Sequence, residues 1–311
     1  MIYQLIQTIC PIIAALLAGF LCRKTGVLRQ STVDQIGDLI SKVLLPLVVL
    51  KAFYNIQMDG ATAAVTLSAS CCVLAGFLAG FPFRRLFGKN GSVVPFHTGT
   101  FEGGLLGYSL YAMVVGEQAI SNFAVVDLGG CIVFSSAILM MAQMNAYGKS
   151  GLADCLDTVK KTPTTWAMVI GLILGLSGLG AMLAASWAGP VLEDTLELLT
   201  DPISALVLIY AGYNFRPNPA VNRLVFRLLG VRYLIQAVLA VITFTVLHLL
   251  KVLTPETTAA LTCMFLLPPS YLFSAILGKE QETKNMMAIF ISLGSIIAAI
   301  AFPVVYVLLL A

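Results

Sequence analysis

The sequence predicts an all-α integral membrane protein with ten transmembrane helices in two five-helix halves of opposite orientation. Three observations carry the prediction. Of 311 residues, 59% are apolar and 11% charged, where an ordinary soluble domain carries roughly 25% charged residues. The mean hydropathy is +0.94, and a soluble body of this length could not hide so much apolar side chain from water. The apolar residues gather into runs long enough to cross a bilayer, and the basic residues fall in every second connection between them. This composition excludes a soluble enzyme, a disordered chain and a nucleic-acid binder. A net charge of +3 is too small to hold a polyanion.

A bilayer core about 30 Å thick takes about 20 apolar residues per helix. Such runs lie at 4–22, 33–53, 61–82, 93–115, 119–142, 165–185, 190–213, 230–250, 257–278 and 286–310. The first ends at Cys22, before Arg23 and Lys24. It is too long for a signal-peptide core and has no basic segment ahead of it, so it reads as a retained helix. The loops after the odd-numbered runs hold Arg23, Lys24, Arg29, Arg84, Arg85, Lys89, Lys149, Lys160, Lys161, Arg216, Arg223, Arg227, Arg232, Lys279 and Lys284, with Lys42 close by. Lys51 and Lys251 fall at the opposite face, and the stretch with Glu193, Asp194 and Glu197, read as an outer loop, has no basic residue. The excess of positive charge marks the cytoplasmic side, which places both termini outside the cell membrane. The patch from Arg216 to Arg232 reads as a determinant of this topology. Cys10, Cys22, Cys71, Cys72, Cys131 and Cys263 sit inside apolar runs without a CxxC or Cys/His cluster, so they read as packing residues and no metal is expected.

The longest cytoplasmic connection, about residues 143–164, separates five runs from five and gives halves 1–150 and 151–311. An odd number of crossings per half inverts the second half. Segments 111–117 and 273–279 add a weak echo between them. Run 4 reads Thr98-Gly99-Thr100-Phe101-Glu102-Gly103-Gly104-Leu105-Leu106-Gly107, and run 9 reads Leu266-Leu267-Pro268-Pro269-Ser270-Tyr271. Glycines loosen a helix and proline removes a donor. Such breaks persist in hydrocarbon only where they line a cavity or are buried in protein. Matching breaks in two inverted halves point to a transport site at the midplane, where the gaps meet face to face. Gly19, Gly76 and Gly171 read instead as packing positions, and Pro46 and Pro303 as kinks.

The half-helices starting near Leu105 and Pro269 would turn unpaired N–H groups on the gap, which suits a carboxylate, while the carbonyl ends before the gaps suit a cation. Glu102 sits at the break. A carboxylate in mid-bilayer costs about 2.5–3.5 kcal/mol, so Glu102 needs a proton, a cation or a polar cavity. It therefore reads as the carrier of a coupling H⁺ or Na⁺, or else as a cap on loose amides. Asp127 either joins this site or lies in an outer vestibule. Tyr108 and Tyr271 flank the breaks, either stacking on a substrate or packing. Asn122, Ser292 and Ser295 either line the cavity or pair between helices. His97 and His248 read as solvated residues near membrane edges.

Several short motifs stand in order along the chain: Cys10-Pro11-Ile12, Gly19 through Gly26, Leu44-Leu45-Pro46, Thr100-Phe101 through Gly107, Thr162-Pro163, and Leu267-Pro268. Together they resemble the auxin efflux carrier family, which includes plant auxin exporters and bacterial malate-permease-like proteins, over nearly the whole length. The resemblance implies crossed broken helices 4 and 9. It also implies an elevator mechanism with runs 3–5 and 8–10 moving against a scaffold of 1, 2, 6 and 7, and a homodimer through the scaffold. Many members place Asn, often Asn-Thr, at the first crossover. Here Glu102-Gly103-Gly104 stands there and no Asn follows Pro268-Pro269-Ser270, which argues against auxin itself and against simple anion uniport.

The expected function is secondary transport of small organic anions, mono- or dicarboxylates such as malate, with the lipid bilayer as surroundings and no cofactor beyond a coupling H⁺ or Na⁺. The expected substrate site is Glu102, Gly103, Gly104, Leu105, Tyr108, Pro268, Pro269, Ser270 and Tyr271, with Glu102 and Asp127 coupling the ion. The alternative is a cation-coupled carrier of a neutral or weakly acidic solute; a channel or a membrane sensor fits less well. No HExxH, GxSxG or Walker pattern points to an enzyme.

Overall fold

A computed structural model describes residues 2–54, 56, 59–147, 162–215, 219–270, 277 and 281–309. Tyr271, Lys149, Lys160, Lys161, Arg216, Lys279 and most of the segment 273–279 lie outside the described residues. Among those described there are helices and no strands, and each of the ten predicted runs falls at least partly on helix. The first half holds α1 (Ile2–Thr25), α2 (Gln30–Leu39), α3 (Leu45–Phe53), α4 (Gly60–Ala79), α5 (Val94–Gly99), α6 (Tyr108–Val115), α7 (Ile120–Val133) and α8 (Leu139–Tyr147). The second holds α9 (Pro163–Leu176), α10 (Leu179–Ala184), α11 (Ala188–Thr200), α12 (Ile203–Asn214), α13 (Pro219–Leu249), α14 (Pro255–Leu266) and α15 (Gln281–Leu309).

Local chemistry explains the joints. Wide π-turns at Ile40–Leu44 and Phe134–Ile138 carry α2 into α3 and α7 into α8. Asp59 caps α4 by accepting the Thr62 N–H at 2.7 Å, and Thr254 caps α14 by accepting the Thr257 N–H at 3.1 Å. That bond to Thr62 holds the Asp59 carboxyl below the usual carboxylate range. Run 6 is two helices, because Gly178 turns the chain at φ 75°. Glu193, Asp194 and Glu197 are exposed on α11 rather than in a loop; an apolar stretch around them, from Ala188 to Thr200, sustains the helix.

Four helical segments among the described residues are long and apolar enough to cross a membrane: Gly60–Ala79, Ala188–Asn214, Arg223–Leu249 and Met286–Leu308. Large apolar side chains such as Leu67, Ile173, Leu234 and Val241 face outward. In water such a surface would be a liability, whereas against lipid it is the solvated face. This is an all-helical membrane protein.

The helices pair in a regular way. α1 packs on α12, and α3 on α9. At the first contact, Gly19 stands against the Ile209 carbonyl and Gly212 against the Leu16 carbonyl; at the second, Gly171 and Gly175 stand against Phe53. Small residues let the backbones approach closely, so Gly19, Gly171 and likewise Gly76 (against Thr98 and Gly99) are the packing positions expected. α4 packs on α7, where Ser70 Oγ donates to the Gly129 carbonyl at 2.8 Å, and α13 packs on α15. At one end of the molecule, Lys51 Nζ on α3 meets Glu117 Oε2 at 2.7 Å.

Candidate functional site

The two interruptions touch. α5 ends at Gly99, Thr100 is extended (φ −100°, ψ 162°), and helix resumes with a wide turn, Gly103–Gly107, whose Gly107 N–H reaches the Glu102 carbonyl at 3.1 Å. α14 ends at Leu266 and Leu267 is extended (φ −60°, ψ 146°), with Pro268, Pro269 and Ser270 non-helical after it. The Glu102 N–H donates to the Pro268 carbonyl at 2.8 Å, which ties one gap to the other. The restart at Gly103 comes two residues before the expected Leu105, because paired glycines can already enter the turn. Pro269 and Ser270 are not yet helical, and the residues that follow, where the second half-helix is expected, lie outside the described residues.

Breaking a helix strands its last carbonyls, and here their partners can be named. Thr98 Oγ1 has the carbonyls of Gly76 (2.9 Å), Pro95 and Val94 within reach of its one proton, and Thr100 Oγ1 donates to that of Phe96 at 2.7 Å. Others are met by α13. Arg232 donates to the carbonyls of His97, Thr100 (2.9 Å) and Leu267 (2.5 Å). Gln236 Nε2 donates to that of Thr98 at 2.8 Å, and Tyr233 to that of Leu266 at 3.3 Å. Arg232 is therefore not a loop charge. It is fully buried, because two sets of orphan carbonyls offer it a site that solvent would otherwise supply. His97 is likewise not solvated: it is fully buried, its Nδ1 is 2.9 Å from the Val93 carbonyl, and its ring lies against Phe290. His248 is exposed as expected.

Beside the crossing lies a cavity of about 200 Å³, smaller than the ~300–1,000 Å³ of drug-sized pockets and suited to a small metabolite. The first break lines it with Thr100, Phe101, Glu102, Gly103 and Gly104, and the second with Ser270. α7 and the turn after it add Asp127, Gly130, Cys131 and Phe134, and α9 adds Thr164, Thr165 and Met168, with Thr162 just before it. Glu102 and Asp127 thus share one cavity. No Lys, Arg or His lines it among the described residues.

Asp127 is held from two sides. Its Oδ2 accepts from the Tyr108 hydroxyl at 3.0 Å, and its Oδ1 lies so close to Gly103 that a Cβ there would collide with it. Tyr108 itself is fully buried, edge-on to Phe123 at 5.0 Å, and reaches the cavity only through Asp127. Pro268 and Pro269 are buried, Pro268 against Gly294 of α15. The Leu105 backbone is in the wide turn; its side chain, like Tyr271, is outside the description. Asn122 donates to the Ala119 carbonyl and Ser295 to that of Ile291, and neither they nor Ser292 line the cavity. The sequence reading missed Thr164 and Thr165, which resemble ordinary first-turn residues after Pro163. Glu117, Glu197 and Asp201 bring carboxylate oxygens within 4.8 Å of one another, an exposed acidic group of which Lys51 already occupies one member.

No protein-family model matches the chain. It is similar to an uncharacterized transporter of Methanothermobacter thermautotrophicus, 22% identical over 188 residues, covering 59% of this chain and 61% of that protein. The match therefore spans less than two thirds of the relative's length.

Proposed function

We propose that the chain is a secondary transporter of small organic anions, mono- or dicarboxylates of malate-like size. In this reading it belongs with the bacterial malate-permease-like proteins of the auxin efflux carrier family. One observation carries the proposal: the hydrogen bond from the Glu102 N–H to the Pro268 carbonyl, where the break after α5 meets the end of α14 beside a cavity that both help to line. Crossed discontinuous helices are the arrangement in which carriers place their substrate site.

The packing supports the architecture. Exchanging runs 1–5 with runs 6–10 turns the α1–α12 contact into the α9–α3 contact and the α4–α7 contact into the α13–α15 contact. That favours two related halves, 1–150 and 151–311; in the proposed reading they are inverted repeats giving ten crossings, runs 3–5 and 8–10 slide against a scaffold of 1, 2, 6 and 7, and the scaffold forms a homodimer. The resemblance to a transporter supports the class.

The site's chemistry follows from its parts. The first amides of the helix opening at Gly103 have no carbonyl before them and draw a carboxylate. Thr162, Thr164, Thr165 and Ser270 supply hydroxyls. A negative interior opposes anion entry by about 2.3 kcal/mol per charge per 100 mV, so uptake needs a cation alongside. Glu102 and Asp127 take it up as protons or Na⁺ when the substrate enters, which offsets the charge the substrate brings, and release it on the other side.

Counterflow in proteoliposomes tests this. Labelled malate is expected to exchange, with other small carboxylates competing. The lack of basic side chains in the described lining favours a second reading, a cation-coupled carrier of a neutral or weakly acidic solute. Failure of every carboxylate to exchange selects that reading, and single-channel current in planar bilayers would overturn both.

A further inference from the structure

We propose that the Arg232 guanidinium is the crossover's built-in cation, holding the position at the two carbonyl ends that a coupling Na⁺ would otherwise take. The last carbonyls of a broken helix carry partial negative charge, and carriers with broken helices commonly coordinate Na⁺ on such ends. Here a side chain of α13 does that work for both gaps. Arg232 donates to His97 and Thr100 on one side and to Leu267 on the other. Its planar fork offers five donors and a charge it cannot lose.

It is fully buried, and its hydrogen-bond partners among the described residues are carbonyl oxygens rather than a carboxylate. The helix ends, not an ion pair, balance its charge. Gln236, one turn further on, occupies the Thr98 carbonyl. A metal cation at this point would have to displace N–H donors from the oxygens it needs and then face the guanidinium. A coupling ion is left to the carboxylates of Glu102 and Asp127 rather than to the helix ends; this last step rests on the carrier reading, whereas the role of Arg232 does not.

Thermal unfolding of the purified full-length protein in detergent tests the role without a transport assay. Any Na⁺-dependent shift of the wild type over choline chloride reports the carboxylates and serves as the baseline. R232A should melt about 5 °C lower or more, and millimolar Na⁺ or guanidinium should restore part of the loss, beyond that baseline, where choline does not. The proposal is overturned if R232A is as stable as the wild type, or if R232A gains no more from either small cation than the wild type does. Should R232A fail to fold, R232K and R232M decide: folded R232K with unfolded R232M supports the proposal, and equal yields of both refute it. A failed transport assay leaves these outcomes untouched.

Discussion

Glu102 draws its significance from the backbone on either side of it: its amide closes the crossing while its carboxyl lines the cavity. Glu102→Gln keeps the shape and removes the titrating group. Uptake by the variant in proteoliposomes is expected to lose its dependence on pH or Na⁺, and unchanged coupling would remove Glu102 from that role. Gly103→Ala drives a methyl into Asp127; overpacking of this kind costs about 1–3 kcal/mol, read as a lower melting temperature together with loss of any carboxylate-induced shift. Gly230→Ala is the contrast, since nothing lies within 4 Å of a Cβ there, and filling a helix interior should stabilise by about 0.4–1 kcal/mol. At Asp59 the depressed carboxyl contributes stability above the unfolded carboxylate pKa, and this is lost as pH falls through the folded one. Asp59→Ala should therefore flatten the acid limb of a melting-temperature profile. Glu102 and Asp127 were legible as candidates because a carboxylate within a long apolar run needs a reason. Arg232 was not, since it stands just after Arg223 and Arg227 and looks like one more charge at a membrane edge.

Among elements, α13 carries the most. Its Arg232, Tyr233 and Gln236 form a polar stripe midway along a helix of 31 residues, and that stripe holds both breaks by their carbonyls. The i, i+4 spacing of Arg232 and Gln236 was visible in the sequence, but its meaning needed the carbonyls, which no residue pattern displays. Gln236→Leu should strand the Thr98 carbonyl at a cost of about 1–3 kcal/mol, measured as a fall in melting temperature that Gln236→Asn does not fully repair. The breaks themselves were legible, because Gly-Gly and Pro-Pro have few other uses in the middle of an apolar run. The wide turns at Ile40–Leu44 and Phe134–Ile138 were not, since any apolar residues can adopt them.

For the whole molecule, the places of the runs followed from hydropathy, but their partners did not. Apolar side chains fit lipid and neighbouring helices alike, and only the glycines at contacts such as Gly19 and Gly212 mark where backbones touch. The predicted orientation is open to direct labelling. In a background without the exposed native cysteines, a cysteine at Glu193 should react with an impermeant reagent on intact cells, and one at Arg85 only after permeabilisation. Lys51 and Glu117 join an α3 that would stay still to a loop beside an α7 that would travel. Glu117 is 40% exposed, and a pair this wet is worth about 0–1 kcal/mol. In the proposed elevator cycle such a link would act as a detent: firm enough to mark one resting stop, and weak enough for thermal motion to lift it every turnover.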